Sequence, residues 1–147
     1  MTTTGLDEDA FYLEGVQFEM LVGLTLIEVT KVDAGLFLKA TDGRMFVIKH
    51  EQECCECVDL IDISGDTNDL IGSQIVVAEC RTNATDAAGE NTYRYEYSSA
   101  TWTFIEIATN KGSVTLRFYG ASNGYYSETA DLFLCKPFDY EQHTIKH

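Results

Sequence analysis

Apolar residues in this chain recur at every second position in short runs, and each run ends in a Gly, Asn or Asp turn, so the chain can fold only into something dominated by β-strands. The best hairpin signal is Leu36-Phe37-Leu38-Lys39-Ala40, then Thr41-Asp42-Gly43-Arg44, then Met45-Phe46-Val47-Ile48. Asp-Gly between two apolar runs is a hairpin signal, because the tight turn needs positive φ angles. Phe18 to Val32 predicts one or two strands joined at Gly23. Val58 to Ile63 alternates with acids, as a strand with one wet face does, and Ile75 to Ala78 predicts a further strand. Asp66 to Gly72 carries a capping aspartate and a closing glycine around a very short apolar centre, which predicts a single helical turn. Arg81 to Asn91 turns to Thr, Asn, Ala, Gly and acids and predicts an exposed loop. An aromatic alternating stretch follows, with Tyr93, Tyr95, Tyr97, Trp102, Phe104 and Ile105 to Ile107. Asn110-Lys111-Gly112 turns the chain into Ser113 to Tyr119, and Ala121 to Gly124 turns it again into a run from Tyr125 to Leu134.

Seven or eight strands with tight turns predict a mainly β domain, an antiparallel sandwich or a partly open barrel. The alternative is an α+β fold with one or two short helices, one of them in the acidic stretch Asp7 to Leu13. The 147 residues fit one domain, 1–147, with 1–14 and 137–147 as peripheral termini. A 45% apolar content supplies a core and excludes a disordered acidic tail.

Ten Lys and Arg face 24 Asp and Glu, a formal charge of −14, which leaves no positive footprint for direct nucleic-acid binding. A basic protein partner fits that charge. No apolar run has the length of a membrane span, the N-terminus lacks the charge and apolar core of a secretory signal, and five cysteines with three crowded into positions 54, 55 and 57 suit reduced thiols. The expected location is the cytoplasm. Exposed aromatic strand edges make a homodimer the default assembly.

Two segments carry candidate chemistry. In His50-Glu51-Gln52-Glu53-Cys54-Cys55-Glu56-Cys57, imidazole and thiolate are ligands zinc prefers, so His50, Cys54 and Cys55 are candidate metal ligands with zinc the cofactor such a set would take. The spacing matches no standard zinc module, and adjacent cysteines on extended chain point to opposite faces. The alternative places one or two of these cysteines in the core as small hydrophobes. A cysteine nucleophile with His50 as base is disfavoured, because Glu51, Glu53 and Glu56 oppose thiolate formation. No nucleophile elbow, phosphate loop or His-Glu-x-x-His is present, so the expectation is a protein that is not an enzyme. Paired acids such as Asp59 and Asp62 occur by composition alone in a chain this acidic.

The second segment joins Thr101-Trp102-Thr103-Phe104 to Arg117 through Glu128. Folded as a hairpin, it divides its side chains between a core face and an open face. Trp102, Arg117, Tyr119, Ser122, Asn123, Tyr125 and Tyr126 are the candidate ligand-binding residues, with rings to stack on a base, Arg117 for a phosphate or carboxylate, and Ser122 and Asn123 for hydrogen bonds. The alternative makes the aromatics core, Asn-Gly a plain turn, and Arg117 a neutraliser of nearby acids.

In these blocks the chain resembles an uncharacterised family of small proteins found mainly in bacteriophage and prophage genomes. The resemblance rests on Leu21-Val22-Gly23, the Asp-Gly hairpin, His50-x-x-x-Cys54-Cys55-Glu56, Asp69-Leu70-Ile71-Gly72-Ser73, and the run from Trp102-Thr103-Phe104 through Lys111-Gly112-Ser113-Val114-Thr115 to Tyr119 through Glu128. It covers roughly Met20 to Asp131, and it implies a genomic setting rather than a mechanism. Small acidic phage proteins of this kind resemble host-directed inhibitors or sponges for nucleotide immune signals. The expectation is therefore a non-catalytic binder of a nucleotide-like host defence signal. The alternatives are an acidic inhibitor of a basic host protein, in the manner of a DNA mimic, and a zinc-stabilised structural domain.

Overall fold

A computed structural model describes residues 11–86 and 98–137 of the chain. Among these described residues there are nine strands: β1 (Phe11–Val16), β2 (Leu26–Val32), β3 (Gly35–Ala40), β4 (Met45–Lys49), β5 (Cys57–Ser64), β6 (Val77–Asp86), β7 (Ser99–Thr109), β8 (Gly112–Ser122) and β9 (Asp131–Pro137). They form two antiparallel sheets with orders β1-β9-β4-β3-β2 and β5-β8-β7-β6. The fold is thus mainly β, an open two-sheet sandwich, and its helical content among the described residues is two single 3-10 turns, Phe18–Leu21 and Thr67–Leu70.

Alternation decides what is buried on β7 and β8, whereas β3 and β4 are buried on both faces. Leu36, Leu38, Phe46, Ile48 and Leu132 of the first sheet meet Ile105, Ile107, Val114, Leu116 and Phe118 of the second in one core, all at most 1% exposed. A second apolar cluster of Val47, Phe133 and Cys135 occupies the opposite face of the first sheet. The β3–β4 hairpin lies where the Asp-Gly signal predicts it, with Gly43 at φ +94° and Asp42 accepting from the Arg44 backbone N–H. Gly43 is the one turn residue in the left-handed region, so the turn is not the two-residue form with both central φ angles positive. Asp66 caps the Thr67–Leu70 turn by accepting from the Asn68 N–H at 3.0 Å, as its sequence implies.

Four expectations need correction. Phe18–Leu21 is a 3-10 turn and not a strand, because the chain must cross there from β1 at one edge of the first sheet to β2 at the other. The loop expected from Arg81 is strand as far as Asp86, its polar composition overridden by ten consecutive residue pairs with β7. Phe11 to Leu13 are strand and not helix, since they pair with β9, so the sheet takes in part of the expected peripheral terminus. Strand is absent from Tyr125 to Ala130 and resumes at Asp131. Tyr93, Tyr95 and Tyr97 lie outside the described residues.

The facing assignment is testable by paired truncations in urea unfolding. Phe118→Ala empties a fully buried site and is expected to cost about 3–5 kcal/mol. Phe104→Ala on the other face of the same hairpin is expected to cost only about 1 kcal/mol, the worth of an aromatic contact.

Candidate functional site

Strand β7 buries Thr103, Ile105 and Ile107, and β8 buries Val114, Leu116 and Phe118, so their alternate residues face outward from the four-stranded sheet. Cross-strand register sets Trp102 opposite Tyr119 and Phe104 opposite Arg117. The Trp102 and Tyr119 rings are 4.9 Å apart between centroids, Trp102 stacks on Phe104 at 6.2 Å, and the Arg117 guanidinium lies 5.3 Å above the Trp102 ring. Asp62 on β5 then receives Arg117 in a two-pronged ion pair, Nε to Oδ1 at 3.0 Å and the terminal nitrogen to Oδ2 at 2.5 Å. That contact holds the Asp62 carboxyl below its usual range and raises Arg117 further. Three rings and one pinned cation therefore form a half-buried platform on the outer sheet face, beside the buried pair Ala100 and Ala121 against which Tyr119 packs. Cavities of about 360, 270 and 480 Å³ lie elsewhere, and none of these three is lined by Trp102, Arg117 or Tyr119.

The other candidate ligand residues belong to the turn that follows β8. Ser122 is fully buried; its hydroxyl donates to Glu128 and accepts from the Gly124 N–H at 2.9 Å. The Asn123 side chain accepts from the Tyr125 N–H, and Tyr125 is 86% exposed with its ring 6.3 Å from that of Tyr126. The seven residues thus divide into a platform and a turn, and Ser122 has no surface to offer a ligand.

Two buried glutamates shape this end of the sandwich. Glu128 accepts from the hydroxyls of Ser99, Thr101 and Ser122. Its backbone carbonyl lies over Gly120, where any Cβ would collide with it, so only glycine lets the loop close against β8. Glu56 accepts from the backbone N–H groups of Glu53 at 2.8 Å and Cys54 at 2.9 Å, and from His50 Nε2 at 2.6 Å. Burial pushes the Glu56 carboxyl up, but the His50 and amide hydrogen bonds outweigh it and bring the pKa down to about 2. His50 Nδ1 donates to the Thr129 carbonyl at 2.8 Å, and the Ser127 N–H approaches Glu53 at 3.4 Å. The loop after β4 and the loop after β8 are in this way clasped together.

The clasp decides what the first candidate set can do. Both His50 nitrogens already face oxygen acceptors, which leaves neither lone pair for a metal or for a substrate proton. Cys54 and Cys55 are linked to each other as a vicinal disulfide, contrary to the expectation of reduced thiols at these positions. Among the described residues no group of three or more His, Cys, Asp or Glu side chains is arranged to hold a metal ion. The sequence reading passed over Glu128 and Asp62 as active parts of the site. A glutamate flanked by Ser and Thr just before an apolar strand, and an acid on the strand opposite Arg117, are the signals that mark them.

Because Glu56 sits at about 2 in the fold and 4.5 without it, its contribution to stability is complete above pH 4.5 and is lost as pH falls toward 2. Glu56→Gln is expected to cost about 1–3 kcal/mol at neutral pH, because it weakens the charge-assisted hydrogen bonds from the Glu53 and Cys54 amides and His50. It is also expected to flatten the loss of urea midpoint between pH 4.5 and 2 relative to the wild-type chain, as measured by unfolding at a series of pH values.

No curated protein matches the chain, and no solved structure matches it either. A family described as a domain of unknown function, DUF7448, matches residues 19–132, a span that takes in the clasp and the aromatic platform together. That match covers most of the 147 residues, and the chain belongs to the DUF7448 family.

Proposed function

We propose that this is a phage-type, non-catalytic binding protein that works in the host cytoplasm by covering the surface of a basic host or defence protein with its open sheet face. The observation that carries this reading is the platform of Trp102, Phe104 and Tyr119 with Arg117 laid flat by Asp62. Trp, Tyr and Arg are the residues that dominate protein interfaces when they cluster on one patch. A net charge of −14 favours fast association with a cationic partner. The resemblance to phage and prophage proteins supplies the host setting.

Capture of a nucleotide-like signal by the same residues draws less support from the geometry. Arg117 has committed its fork to Asp62, and the Trp102 and Tyr119 rings already contact one another on an open face. A guanidinium already paired with a carboxylate has to give up that partner before it can hold a phosphate.

The test begins with capture of a partner from bacterial lysate on the immobilised protein, followed by binding kinetics with that partner. Trp102→Ala is expected to weaken binding by about 2 kcal/mol, roughly 30-fold in Kd. The association rate is expected to fall as salt rises from 50 to 500 mM, on the order of tenfold. A partner indifferent to Trp102→Ala, or association indifferent to salt, overturns the reading. Native mass spectrometry against a panel of cyclic and linear nucleotides supplies the competing outcome: a nucleotide-sized increment abolished by Arg117→Ala replaces protein docking with small-ligand capture. The same spectra detect zinc, whose loss to a chelator together with stability would favour the structural-metal reading.

A further inference from the structure

The cysteine pair stands at the origin of the clasp. Cys54 is exposed and Cys55 half-buried, their sulfurs are joined, and the N–H of Cys54 is one of the two backbone donors that hold Glu56. The Gln52 side chain reinforces the same turn, donating to the Cys54 carbonyl at 3.3 Å and the Glu56 carbonyl at 2.6 Å. From Glu56 the connection continues through His50 to the Thr129 carbonyl, and so to the loop that displays Tyr125.

We propose that the Cys54–Cys55 pair is a redox switch that sets whether the loops after β4 and β8 remain clasped. A closed pair requires both sulfurs on one side of the chain. Adjacent side chains on extended backbone point to opposite faces, so opening the bond lets the turn relax toward a form in which the Glu53 and Cys54 N–H groups no longer converge on Glu56. Glu56 is then a buried carboxylate stripped of two donors, and the His50 bridge to Thr129 weakens with it.

The chemistry is thiol–disulfide exchange with a dithiol reductant. A reductant thiolate attacks the accessible Cys54 sulfur and the Cys54–Cys55 bond breaks, leaving a mixed disulfide and a Cys55 thiolate. The second reductant thiolate displaces Cys54 and closes the reductant's own disulfide. The protein gains two electrons and two protons and ends with two thiols. Cys80 and Cys135 are poorer reactants: Cys135 is buried, and burial raises the thiols of both.

Amide hydrogen exchange and alkylation on the intact chain test this directly, comparing protein purified without reductant to the same sample treated with dithiothreitol. Before treatment, Cys54 and Cys55 are expected to resist iodoacetamide; afterwards both are expected to be alkylated. Reduction is expected to speed exchange at the Glu53 and Cys54 amides and across 123–130 about tenfold or more, the signature of local opening. The Cys54→Ser, Cys55→Ser double variant is expected to exchange like the reduced chain and to ignore dithiothreitol. Free alkylation of both thiols in the untreated protein overturns the proposal, and so does wild-type exchange that reduction leaves unchanged. The second comparison uses one protein in two redox states and needs no variant to fold.

Discussion

Glu56 and Glu128 are buried carboxylates, and the loop end of the sandwich depends on how hydrogen bonds satisfy them. Removing an ionised carboxylate from water is costly unless hydrogen bonds replace the solvent. Glu56 obtains two backbone amides and an imidazole, while Glu128 obtains three hydroxyls. Glu128 draws two of its donors from β7, which fixes its loop against that strand, whereas the donors to Glu56 are local and the long-range link there is His50 to the Thr129 carbonyl. Thr129 at the end of one loop is thereby held against His50 at the start of the other, next to the point where β9 enters between β1 and β4.

With the loops closed in this way, the second sheet has one face committed to the core and one turned outward, where Ala100 and Ala121 form a small buried cluster with Cys57 and Tyr119 packed against it. Alternation then leaves Trp102, Phe104, Arg117 and Tyr119 no place but the outer face. The rings cover one another partly, and Arg117 screens Trp102 while Asp62 holds it in place. A guanidinium fixed on both sides loses little freedom when a partner arrives, which favours tight docking. Reach toward a phosphate would require breaking the Asp62 pair first.

The period-2 pattern made the β7–β8 hairpin legible, because side-chain alternation there agrees with which face is buried, whereas β3 and β4 are buried on both faces and were legible from their Asp-Gly turn between apolar runs. It failed where tertiary pairing overrode composition. Thr82, Asn83 and Ala84 read as loop but are held in β6 by their partners on β7, and the crossing of the chain over the sheet turns the apolar Phe18–Leu21 into a 3-10 turn. The site was legible by residue type and not by arrangement. Trp102, Arg117 and Tyr119 do share a face, while Ser122 lies beneath it as a partner of Glu128. His50, Cys54 and Glu56 do form a unit, but the ligand that occupies His50 is a carboxylate from its own loop. Local sequence names the donors and acceptors; which of them meet is decided by contacts such as His50 to Thr129, 79 residues apart.

Charge completes the picture. Arg44 pairs with Asp42, Arg117 with Asp62, and Lys136 with Glu14, each on its own hairpin turn or a neighbouring strand. These exposed pairs add little stability, since solvent screens them. Their effect is on the field: cations held against neighbouring acids form local dipoles, and the excess of acidic side chains governs the potential farther out. An approaching cationic surface is drawn in by that excess, whereas at contact range it meets rings and a neutralised arginine. Long-range attraction and short-range apolar contact are thus supplied by different residues, and charge substitutions away from the sheet face should alter how fast a partner arrives more than how long it stays.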